Sequence, residues 1–111
     1  MTLPIIDHRA FEALQANAGA DFVLTLIEAF AEEAPQLLAA LRAAASPGDA
    51  LHFEDAAHSL KSNGVTFGAA RLAEMARRLE WQGPGTDGGE VDALEVELDA
   101  ALRALRALAR P

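Results

Sequence analysis

The sequence contains no cysteine and no tyrosine, and only one tryptophan and one lysine. Without cysteine the chain can form neither a disulfide bond nor a zinc site built on thiolates. Valine, isoleucine and threonine together number only 11 of the 111 residues, and no alternating β-branched runs occur, which argues against a β fold. Bases are also scarce, since 9 bases against 17 acids give a net charge of −8. That charge disfavours nucleic acid and anionic membrane surfaces as partners.

Long apolar runs are missing as well. No stretch reaches the roughly 18 apolar residues that a membrane span requires. The first residues lack the basic region and the apolar segment of a secretion signal. We therefore expect a cytoplasmic protein without a membrane segment.

What the chain has in abundance is alanine and leucine, at 26 and 16 residues. Both are strong helix formers, and apolar residues recur at helical spacing. The pattern predicts a short first helix capped by Asp7 and four longer ones over Asp21–Ala45, Asp49–Thr66, Ala69–Gln82 and Glu90–Ala109. The connectors Ser46–Gly48 and Gly83–Gly89 separate the longer helices. We predict an all-α fold, an antiparallel up-down-up-down four-helix bundle with an additional short N-terminal helix, forming one monomeric domain over residues 1–111.

The same pattern predicts which residues face the core. In the second helix the inward stripe is expected to hold Phe22, Leu26, Phe30, Leu37, Leu41 and Ala44. Trp81 is expected to close one end of the core. Gly68 is expected to end the third helix in a left-handed conformation. The turn at Gly68 is short, so the fourth helix is expected to pack antiparallel to the third.

The third helix carries a histidine on the side away from its apolar stripe. At about 100° per residue, the apolar side chains project within about 40° of the direction opposite His58. These residues are Phe53, Ala56, Leu60 and Phe67. His58 should therefore point into solvent, where a neutral imidazole is a competent nucleophile near neutral pH.

The neighbours of His58 suit chemistry on an anion and contact with a partner. Six residues project within about 60° of it: Leu51, Glu54, Asp55, Lys61, Ser62 and Val65. Lys61, the single lysine, lies one turn later and can place its ammonium beside an anion on the ring. Ser62 is small enough to let a partner approach. Leu51 and Val65 add an exposed apolar patch suited to docking.

These residues resemble a known family. The segment Ala57–Lys61, with the sequence AHSLK, is followed by Gly68 ten positions after the histidine and then by Leu72, Leu79 and Glu80. This pattern resembles the signature of histidine-containing phosphotransfer (HPt) domains. Segment 32–38 and the chain length are also similar, so the resemblance covers nearly the whole chain. One departure is Ser62, where the family often has glycine.

The resemblance implies a phosphorelay intermediate of two-component signalling rather than an enzyme. His58 would accept a phosphoryl group, through Nε2, from the aspartate of one receiver domain and pass it to the aspartate of another. Lys61 and Ser62 would lie beside that phosphoryl group, and Leu51, Glu54, Asp55 and Val65 would dock the receiver. The implied partners are response-regulator receiver domains and a hybrid sensor histidine kinase. No cofactor of its own is implied, since Mg²⁺ and the acid chemistry would belong to the receiver.

Other interpretations stay open at this stage. The domain could be a helical adaptor that binds a receiver or a kinase without carrying phosphate, or the phosphoacceptor module of a larger hybrid histidine kinase. His52 is expected to be packed or half-exposed on the core edge of the helix, and His8 to be an exposed bystander. A metal site is not expected, because the carboxylate and histidine pairs share one helix and face different ways.

Overall fold

A computed structural model describes residues 2–45, 48–85 and 88–109, and every regular element within them is an α-helix. The helices are α1 (His8–Ala18), α2 (Ala20–Ala45), α3 (Ala50–Phe67), α4 (Ala70–Gln82) and α5 (Gly89–Ala109). The all-α prediction is confirmed, and each predicted helix end lies within one residue of the observed one. The connectors predicted at residues 46–48 and 83–89 lie partly outside the described residues. None of the described helices is long and apolar enough to cross a membrane.

The four long helices form the bundle. Helix α3 packs against α2 and α4, and α5 also packs against α2 and α4, so α3 and α5 lie diagonally across the bundle. The short helix α1 packs on α2 and α3. Leucine and alanine fill most of the core, and Phe30 of α2 stacks on Phe67 of α3 with ring centroids 5.6 Å apart.

Two expectations about the core are wrong. The buried face of α2 begins one residue later than predicted. Val23 and Ile27 are fully buried, whereas Phe22 is 56% exposed. Apolar residues surround much of this helix, so its pattern fits two overlapping stripes, and the buried one continues through Ala34. Trp81 is 84% exposed and does not close the core, because Leu79, about 200° away around α4, takes the inward direction.

The turn between α3 and α4 is the point where α1 is attached. Gly68 ends α3 with φ +75°, in the left-handed region, and its N–H donates back to the last turn. The Asp7 N–H donates to the Gly68 carbonyl oxygen at 2.7 Å. A Cβ at Gly68 would lie 2.9 Å from both the Asp7 carbonyl oxygen and the Ala10 Cβ. The turn therefore needs glycine for its backbone conformation and for the close approach of α1.

Candidate functional site

The site is built on the solvent side of α3. Asp49 caps this helix by accepting a hydrogen bond from the His52 backbone N–H at 3.2 Å. The opposite face is buried against the bundle through Phe53, Ala56, Ala57, Leu60, Gly64 and Phe67. Burial of that face fixes the rotation of the helix about its axis. His58 consequently points outward, with its side chain 58% exposed.

Helix α4 completes the site with a carboxylate. The Glu80 Oε2 lies 2.6 Å from the His58 Nδ1, and the Glu80 Oε1 accepts a hydrogen bond from the Lys61 Nζ at 2.6 Å. The Glu80 side chain is only 19% exposed. One carboxylate thus joins the histidine and the lysine of α3.

A close contact between the two helices makes this bridge possible. A Cβ on Gly64 would lie 3.0 Å from the Cα and the backbone nitrogen of Ala73. Glycine at position 64 and alanine at position 73 therefore let α3 and α4 approach closely. Because both helices leave the same short turn, this approach also places Glu80 opposite His58.

The electrostatics of the bridge fix the roles of the two ring nitrogens. The hydrogen bond from Lys61 lowers the pKa of Glu80 from its usual range, and the hydrogen bond with His58 lowers it further, whereas burial opposes both. Glu80 is therefore ionised at neutral pH and can only accept hydrogen bonds. In the neutral form of the His58 ring, the tautomer that fits this contact carries its proton on Nδ1 and its lone pair on Nε2. Nε2 is then the ring nitrogen with an electron pair available to a partner.

The Lys61 side chain is more buried than its direction on α3 predicts. Its side chain is 28% exposed and therefore half-buried, not on the open solvent face. The cause is Glu80, which draws the ammonium toward α4. An ammonium has three N–H donors, and Glu80 occupies one of them, so an oxyanion on His58 can still be reached.

The structure brings the other predicted residues to the same face of α3. Leu51 and Val65 are each 67% exposed. Glu54, Asp55 and Ser62 are exposed as well. An open cavity of about 380 Å³ adjoins the site and is lined by Glu54, Arg77, Glu80 and Trp81. This cavity extends the exposed surface from α3 onto α4.

The other two histidines do not share this environment. His52, expected to be packed or half-exposed, is 74% exposed, because it lies in the first turn of α3 and its Nδ1 pairs with the Asp49 Oδ2 at 2.5 Å. That hydrogen bond raises the pKa of His52. His8 is exposed at the start of α1. Among the described residues no group of three or more histidines and acids could hold a metal ion.

Reasoning from the sequence alone does not place Glu80 or Trp81 at the site. Glu80 enters only as part of the resemblance, and the sequence pattern places Trp81 in the core. A signal for Glu80 does exist in the spacing. His58 lies ten residues before Gly68, and Glu80 lies eleven residues after Ala69. In an antiparallel pair of helices joined at this turn, His58 and Glu80 therefore lie at the same distance from the turn and face each other.

Comparisons with known proteins agree with this arrangement. The family model for the Hpt domain matches residues 25–108. The phosphorelay protein LuxU of Vibrio harveyi is 30% identical over 80 residues, which cover 72% of this chain and 70% of LuxU. LuxU of Vibrio vulnificus strain YJ016 is 29% identical over 97 residues, covering 87% and 80% of the two chains. No solved structure is significantly similar to the chain.

Proposed function

Because the chain belongs to the Hpt domain family and acts in histidine phosphotransfer of two-component signalling, we propose that His58 is its phosphoacceptor. The observation that carries this proposal is the pair of hydrogen bonds from His58 and Lys61 to Glu80. Neither His8 nor His52 has a lysine beside it. His58 alone combines an exposed ring, an oriented Nε2 and a nearby ammonium.

The chemistry follows from that geometry. The Nε2 lone pair of His58 attacks the phosphorus of a phosphoaspartate on a receiver domain, the bond to the aspartate oxygen breaks, and its electron pair stays with that carboxylate. Lys61 offers its remaining N–H donors to the phosphoryl oxygens, and the small side chain of Ser62 leaves room for the receiver. Transfer onward reverses these steps on a second receiver.

The chain is a phosphotransfer intermediate rather than a classical enzyme. Phosphoryl transfer requires in-line placement and neutralisation of charge on three oxygens. One histidine and one lysine supply only part of such a site. We propose that Mg²⁺ and the acid chemistry reside in the receiver, and that the chain has no activity of its own without that partner.

The experiment that tests this proposal locates the phosphate on the ring. The protein is incubated with receiver domains phosphorylated by acetyl phosphate, and ¹H–¹⁵N spectra of the histidine rings are recorded before and after transfer. We expect protonated Nδ1 in the free His58 and phosphate on its Nε2 afterwards. Phosphate on His8, His52 or a serine would contradict the proposal. Receiver binding without any transfer would instead support the adaptor interpretation.

We further propose that the receiver docks on the exposed apolar residues around His58. Leu51 and Val65 lie about two turns before and after it on α3, and Trp81 flanks Glu80 on α4. Exposed tryptophan is frequent among the residues that dominate binding energy at protein interfaces. The patch is continuous with the phosphotransfer site, so a receiver that delivers its aspartate to His58 covers it.

Replacement of Trp81 by alanine should weaken receiver binding about tenfold, since loss of one interface tryptophan commonly costs at least about 1.4 kcal/mol of binding free energy. Thermal stability should stay nearly constant, because the indole is 84% exposed. The matched control is Val96→Ala, which removes a 70% exposed apolar side chain from the diagonal helix α5. Calorimetric titration with a receiver measures both variants. Equal affinities for the two variants would refute the docking surface.

A further inference from the structure

A cavity opens between α3 and α4 next to His58. It has a volume of about 380 Å³ and is lined by Glu54 of α3 and by Arg77, Glu80 and Trp81 of α4. Helical spacing places Glu54 one turn before His58, on the side of α3 from which the ring projects. The cavity is therefore continuous with the proposed docking surface, and a docked receiver brings its own side chains against it.

The charged groups that line the cavity are not all paired. Both oxygens of Glu80 are bonded to side chains of α3. The guanidinium of Arg77 is held by Glu74 through hydrogen bonds of 2.8 Å from Nε and 2.6 Å from Nη2. The Glu54 side chain, in contrast, is exposed and forms no hydrogen bond or ion pair with any other described residue. Glu54 is therefore the carboxylate of the cavity that is open to a partner.

The indole of Trp81 forms an aromatic wall beside this carboxylate, and it is 84% exposed. The face of an indole attracts a cation, and the attraction grows when water is excluded. Lysine and arginine also carry apolar stems that pack well on aromatic rings. A carboxylate and an indole in one cavity thus suit a cationic side chain.

Burial of Glu54 under a receiver decides against other occupants. A carboxylate that loses its water without gaining a partner is strongly unfavourable, so an apolar side chain is a poor fit. An acidic side chain would be repelled. The net charge of −8 on the whole chain also attracts a basic partner surface.

We propose that this cavity receives a lysine or arginine side chain of the receiver domain, a role that rests on the proposed phosphotransfer at His58. The cationic head pairs with the Glu54 carboxylate, and the stem packs on the Trp81 indole. Glu54 thereby determines specificity, because a receiver without a cation at this place leaves the carboxylate buried and unpaired.

Neutralisation of Glu54 is the first test. The probe is a receiver domain that phosphorylates the wild-type protein, and its dissociation constant is measured by calorimetric titration. Glu54→Gln keeps the shape of the side chain and removes its charge, so we expect about tenfold weaker binding. The control is Asp99→Asn, which removes an exposed carboxylate from the diagonal helix α5 and should leave the affinity unchanged.

A double-variant cycle separates a bound cation from a general effect of charge. If one cation contacts both Glu54 and Trp81, the loss caused by Trp81→Ala should shrink from about tenfold to about threefold in the Glu54→Gln background. A long-range effect of Glu54 on the encounter of the two proteins would leave the loss at Trp81 unchanged. Additive losses would therefore overturn the proposal.

Charge reversal identifies the partner side chain. Glu54→Lys should weaken binding about a hundredfold, because two cations then meet in the cavity. Each exposed lysine and arginine of the receiver is next changed to glutamate, one at a time. One of these receiver variants should bind Glu54→Lys at least tenfold more tightly than the unchanged receiver does. If none does so, the occupant is not a cation and the proposal fails.

Two further outcomes would contradict the proposal. Equal affinities of Glu54→Gln and the wild type would show that no cation of the receiver binds Glu54. Self-association of the protein alone in sedimentation experiments, abolished by Glu54→Gln, would assign the cavity to a second copy of the chain. Failure of the proposed function is distinguishable from both, because the wild type would then take up no phosphate on His58 from any receiver.

Discussion

Glutamine at position 58 should abolish phosphoryl uptake, with a loss of at least about a thousandfold in rate. The amide nitrogen has no free electron pair, so it cannot replace Nε2 as the nucleophile. Folding should be unaffected, because the side chain is exposed and an amide N–H can still donate to Glu80. The measurement is the transfer of labelled phosphate from a phosphorylated receiver, with circular dichroism to confirm equal helicity.

The matched control for this variant is His52→Gln. His52 lies on the same helix and is exposed. Its Nδ1 pairs with the Asp49 carboxylate, just as the His58 Nδ1 pairs with the Glu80 carboxylate. It differs in having no lysine bonded to that carboxylate. We expect His52→Gln to accept phosphate at the wild-type rate. Uptake by His58→Gln, or its loss in His52→Gln, would show that the phosphoacceptor has been assigned to the wrong histidine.

Alanine at position 68 should lower the free energy of unfolding by about 2 to 4 kcal/mol. About 1 to 2 kcal/mol arises because the left-handed backbone conformation disfavours a Cβ, and φ at Gly68 is +75°. The remainder arises from overpacking, since the new Cβ would meet Ala10 and the Asp7 carbonyl oxygen at 2.9 Å. Urea unfolding followed by circular dichroism measures the change.

Gly48→Ala separates the two contributions. Gly48 also has a positive φ, +95°, but within the described part of the chain no atom beyond its two chain neighbours lies within 4 Å of the position that a Cβ would take there. This variant should therefore lose only about 1 to 2 kcal/mol, the backbone contribution. If the two variants were equally destabilised, the close approach of α1 to the turn would not matter for stability.

Much of the fold follows from local pattern in this chain. Alanine and leucine at helical spacing, together with Asp7, Asp49 and Gly68 at helix ends, are enough to predict the five helices of the described residues. The rotation of α2 is less predictable, because a helix that is apolar on most sides can bury more than one stripe. Phe22 and Val23 are both apolar, and only packing against the neighbouring helices decides between them.

The site is predictable only in part, for a related reason. The outward direction of His58 follows from one helix alone, since it lies opposite the stripe that includes Phe53 and Leu60. Glu80 belongs to another helix, and its contact with His58 depends on how closely α3 and α4 pack at Gly64. A helical wheel contains no information about that distance. It also places Lys61 on the open surface, because it cannot include the carboxylate that draws the ammonium inward.

The exposure of Trp81 has a practical consequence for spectroscopy. It is the single tryptophan in a chain without tyrosine, and it is 84% exposed. Its indole is already solvated in the folded state, so intrinsic fluorescence should change little when the bundle unfolds. Burial of the same indole under a docked partner should shift the emission to shorter wavelength. The native chain thus carries a label-free optical reporter that distinguishes partner binding from loss of structure.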